Sequence, residues 1–216
     1  MEGCFTLILV EACRSLLKRD LRRNLFMMFS FWAGKYGLTP SNVHETDSAS
    51  KKNAELQYVS LQAMSAIMCC GPYFDTTDLG EDSMIYHWLS NLLDSSEEKV
   101  YNLAQETVIL FLESNPDIGP LLDWVVDKCY TGTYAVADGC FLALATIFSA
   151  REYPCDHYTA IINVTLMNTG CPRPAVRDTA LQLLQLLDKR FFGSVGPLAE
   201  SDLGEFVESA VSFLKR

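Results

Sequence analysis

Histidines, cysteines and paired carboxylates build metal sites, nucleophiles and acid–base dyads, and this 216-residue sequence spaces them for none of those tasks. The histidines are His44, His87 and His157, and no interval between them or to a cysteine suits metal ligation. The eight cysteines stand at 4, 13, 69, 70, 129, 140, 155 and 171, without a Cys-x-x-Cys pair. Most sit in apolar settings such as Ile67-Met68-Cys69-Cys70, which reads as small buried hydrophobes in a reducing compartment. Glu97-Glu98 and Asp123 with Asp127 read as solvated helix faces rather than catalytic dyads. Gly-rich phosphate loops, Gly-x-Ser-x-Gly and His-Glu-x-x-His do not occur. The expectation is a chain without catalytic residues, cofactor, metal or small-molecule substrate.

Charge narrows the partners. Residues 1–52 hold eight Lys/Arg against five Asp/Glu, whereas residues 53–216 hold nine against twenty-two. Phosphate binding needs clustered cations, so an acidic surface of this size argues against nucleic acid. Basic partners would be steered toward the acidic three-quarters. The single basic block, Lys18, Arg19, Arg22 and Arg23 around Asp20, is expected at a tight helix–helix corner, where it could meet an acidic partner. The run Phe5-Thr6-Leu7-Ile8-Leu9-Val10 has Glu2 before it and Glu11 after it, unlike a signal peptide. No apolar run reaches the ~20 residues of a membrane span. The pattern therefore predicts a soluble intracellular chain without membrane insertion, and the Asn163-Val164-Thr165 sequon carries no meaning there.

The elements that position these side chains are helical almost throughout. Apolar spacing predicts helices over 4–19, 21–36, 53–70, 83–94, 97–114, 117–130, 134–151, 156–169, 174–192 and 201–215. Ser95 and Glu98 have capping-box spacing. Asn115-Pro116 suits a helix start; Gly170 and Pro172 stop one helix before Pro174 opens the next. Residues 37–52 form a polar stretch expected to be a flexible, protease-sensitive loop, and residues 71–82 a shorter acidic one.

A repeat organises the helices. Four segments share one frame at offsets of 0, 4, 8 and 11: Leu56-Ser60-Met64-Ile67, Val100-Ala104-Val108-Phe111, Val136-Cys140-Leu144-Ile147 and Val176-Ala180-Leu184-Leu187. The second member is always small, as a close helix crossing requires. The starts lie 44, 36 and 40 residues apart, near the period of HEAT and armadillo units. The predicted fold is all-α, an α-solenoid of stacked antiparallel helical hairpins over residues 1–216, with an irregular all-α bundle as the rival. Such hairpins bury their apolar faces only by stacking. Apolar residues in the first and last predicted helices, Phe5, Leu9, Phe206 and Phe213 among them, lack a predicted neighbour, which suggests one part of a longer array. The frame turns Arg177, Asp178, Gln182 and Gln185 outward as candidate protein-binding residues.

Three stretches carry a family resemblance. Ser15-Leu16-Leu17-Lys18-Arg19-Asp20-Leu21-Arg22-Arg23-Asn24-Leu25-Phe26, leading to Phe31-Trp32-Ala33-Gly34, resembles the N-terminal region of the Furry family of cell morphogenesis proteins. Thr107-Val108-Ile109-Leu110-Phe111-Leu112-Glu113-Ser114, and Asp123-Trp124-Val125-Val126-Asp127 with Ala137-Asp138-Gly139-Cys140-Phe141, are similar to the vertebrate members. The resemblance implies a non-enzymatic helical-repeat scaffold that associates with NDR-type kinases, their Mob co-activators and cytoskeletal components. It implies roles in polarised growth and neuron projection development, at the cytoplasm or cell cortex, with a nuclear pool. The family supplies no catalytic residues to carry over. Two other readings remain: a nuclear-transport-like array taking basic cargo, and a transcription-linked adaptor.

Overall fold

The computed structural model describes residues 19–38, 50–68, 83–114, 119–150 and 158–192. These residues form eight α-helices and no strand: α1 Arg19–Trp32, α2 Ser50–Met68, α3 Met84–Leu93, α4 Glu98–Ser114, α5 Gly119–Thr131, α6 Tyr134–Ala150, α7 Tyr158–Asn168 and α8 Pro174–Phe192. A 3-10 turn, Gly34–Tyr36, follows α1. The helices expected over 4–19 and 201–215, with Phe5, Leu9, Phe206 and Phe213, lie outside the described residues. So do Asn115-Pro116, residues 71–82 and most of the polar stretch.

Local chemistry sets the helix ends. Gly34 takes φ +58°, a conformation that L side chains rarely adopt, and it closes α1 four residues before the predicted limit. A side chain there would also strike Gln57 of α2. Ser83 caps α3 by accepting the Ile85 amide at 3.3 Å. Thr133 does the same for α6, accepting the Val136 amide at 3.4 Å. Pro174 opens α8, where a missing N–H costs nothing.

The capping box expected at Ser95 is replaced by another arrangement. Ser95 Oγ accepts the amide of Glu97 at 3.2 Å, and the Glu97 carbonyl takes the first helical amides of α4. The stretch 37–52 is also shorter than predicted. Gly37 closes the 3-10 turn, and the Leu38 amide donates to Ser30 Oγ at 2.9 Å. At its far end α2 already begins at Ser50.

Packing joins the helices by proximity in sequence. α1 lies on α2, α3 on α4, α5 on α6 and α7 on α8. α2 also packs on α4, α4 on α6, and α6 on α8. α5 meets α7, and α3 reaches α6, where a Cβ at Gly139 would come within 2.8 Å of Leu93 Cδ2. The core is one cluster running through all eight helices. Phe26 meets Trp88 edge-on at 5.8 Å between ring centroids, and Tyr86 stacks on Trp124 at 4.9 Å. Fully burying each Val, Leu, Ile, Phe or Met side chain is worth roughly 1.5–3 kcal/mol before the entropy of ordering is subtracted.

The four-segment frame faces this core with two exceptions. Val100-Ala104-Val108-Phe111 and Val136-Cys140-Leu144-Ile147 are buried throughout, as are Ser60, Met64, Ile67, Val176, Ala180 and Leu187. Leu56 instead points to solvent, and Gln57 takes the inner position. At that level the neighbour is the polar backbone of the Gly34 turn, against which the Gln57 amide packs. In α8 Leu184 is only half-buried and Leu183 enters the core.

Candidate protein-binding surface

The side chains proposed on α8 separate as the helix period demands. Val176, Ala180, Leu183 and Leu187 face α6 and α7, which leaves Asp178, Gln182 and Gln185 exposed. Arg177 is half-buried, with Nε 3.5 Å from Asp178 Oδ1. Four polar groups therefore lie on one helix, three of them exposed.

The basic block is described only in part. Lys18 lies outside the described residues, and Arg19, Arg22 and Arg23 belong to the first turns of one continuous helix. The described helix begins inside the block, and Asp20 sits in its first turn, where a carboxylate favours the helix dipole. Arg23 is exposed and Arg22 half-buried. The basic block and the α8 residues sit on the first and last described helices.

What the sequence did not disclose lies one to three turns further along α1. Met27, Met28, Phe31 and Trp32 are all exposed, Phe31 to 79%. Phe26, Ser30 and Ala33 fill the opposite, buried face. Leu21 extends the exposed strip toward Arg23. The signal was present as an apolar run that continues around the helix, but periodicity alone cannot say which side meets the core.

A second feature missed by sequence reading is a row of polar links where the odd-numbered helices end and the even-numbered ones begin. Glu97 accepts from Tyr36 Oη and from Lys35 Nζ, the latter at 2.9 Å. The Tyr36 bond foremost, then the Lys35 bond, holds the Glu97 carboxyl below its usual value. In return the Glu97 bond pushes Lys35 up to about 12. Thr133 Oγ1 donates to Asp94 Oδ1 at 2.7 Å. Arg173 grips Asp138 with both Nε and Nη2, the second at 2.7 Å, and lies over the Tyr134 ring. At the opposite ends of α6 and α8, Arg190 donates to the carbonyls of Phe148 and Ser149. The buried Thr107 hydroxyl donates to the Leu103 carbonyl at 2.6 Å and is hydrogen-bonded to Ser65 Oγ at 2.8 Å between α4 and α2.

Cys129, Cys140 and Cys171 are free and buried. Burial, with a smaller effect of Asp138, pushes the Cys129 thiol up to about 12, and burial also raises Cys140. Thiols held protonated at neutral pH are poor nucleophiles. His87 is exposed on α3, while His44 and His157 lie outside the described residues. Among the described residues, no group of three or more His, Cys, Asp or Glu is placed to hold a metal ion. No helix among them is long and apolar enough to cross a membrane. No family model matches the sequence.

Proposed function

We propose that this chain is a non-catalytic helical-repeat scaffold, an α-solenoid segment whose outward helix faces bind other proteins. The observation that carries this reading is a spacing that recurs in five of the cross-helix links, beside the longer ones from the Gly34 turn to Glu97 and Trp88. Tyr58 to Lys99, Thr107 to Ser65, Thr133 to Asp94, Arg173 to Asp138 and Arg190 to Phe148 join residues 41, 42, 39, 35 and 42 positions apart. Those separations match the sequence frame, and each even-numbered helix after the first packs on the even one before it. A bundle closing on itself would bring early and late helices together; a solenoid links each hairpin to its neighbours.

By its resemblance to the Furry family, the scaffold would hold NDR-type kinases with their Mob co-activators in cytoplasmic or cortical assemblies that shape cells. Arg177, Asp178, Gln182 and Gln185 are the residues on α8 assigned to that contact. The test is capture of purified kinase–Mob complex on the immobilised 216-residue chain. Combining Asp178→Arg, Gln182→Arg and Gln185→Glu should cut capture at least tenfold while leaving the helical circular dichroism and melting temperature unchanged, because these side chains are exposed. Equal capture by parent and variant would remove α8 from the interface. Failure of the parent to capture the complex would overturn the kinase–Mob assignment.

A further inference from the structure

We draw no further inference here: the strongest candidate, the exposed apolar patch of Met27, Met28, Phe31 and Trp32 on the outer face of α1, carries nothing because nothing among the described residues shows what covers it.

Discussion

Glu97 draws together Tyr36 and Lys35 from the 3-10 turn, with Lys99 Nζ 4.0 Å away on its own helix. Three ionisations are tied to this contact: Glu97 is lowered, Lys35 is raised by its bond to Glu97, and Tyr36 is raised chiefly by burial, so the acid's pH dependence is opposite in sense to the other two. A carboxyl whose folded pKa is depressed contributes stability above its unfolded value, about 4.3, and loses it as pH falls through the folded value. Lys35, raised to about 12, contributes below its unfolded value and loses that contribution as pH climbs through the folded one. Glu97→Gln removes both effects. The parent should therefore exceed the variant by about 0.5–1 kcal/mol across neutral pH, a small figure because both side chains are partly exposed. Urea denaturation at a series of pH values should show the gap closing below about pH 4 and again above about pH 11. A gap of constant size from acid to base would locate the loss in packing instead. At Trp88 the same turn is held a second way, since its indole Nε1 donates to the Tyr36 carbonyl at 2.7 Å.

Between helices, the small residues of the frame set how closely neighbours approach. Ala104 and Ala180 have no exposed surface, and their helices pack against α2 and α6, and against α6 and α7. Replacing either by Leu inserts three carbons into a filled crossing, at a cost of about 1–3 kcal/mol. Chemical denaturation should register both losses, and two variants as stable as the parent would refute the assigned helix register. Much of this level was legible beforehand. Val176, Ala180 and Leu187 repeat at helical intervals, and an apolar stripe of that period can only be buried along one side. Leu56 and Leu184 escaped the rule for local reasons: Leu56 is turned to solvent because Gln57 takes the inner place against the polar Gly34 turn, and Leu184 yields its place to Leu183. The contacts of Tyr36 with Glu97 and of Arg173 with Asp138 were not legible, because they depend on which helix ends meet in space. The exposed side of α1 was hidden by abundance, since a run rich in Leu, Met and Phe does not declare which residues the neighbours will leave uncovered.

For the whole molecule, the proposed array makes stability a local property. Each helix pair of a solenoid answers mainly to its neighbours, whereas a bundle with one shared core loses protection everywhere together. Leu187→Ala at the end of α8 removes a buried side chain at a cost of about 2–5 kcal/mol. Amide hydrogen exchange should then accelerate in α7 and α8 while α3 and α4 keep most of their protection. Uniform acceleration would favour the bundle. The row of polar links bears on a different property, elasticity. Glu97, Asp94 with Thr133, and Asp138 with Arg173 all fasten successive helix pairs near the same ends of their helices. That margin is not the whole fastening: Thr107 meets Ser65 further along α4 and α2, and Arg190 pins the far ends of α6 and α8. In the proposed array such double fastening would resist splaying as well as sliding, so a bound partner would meet a surface whose bend is already set.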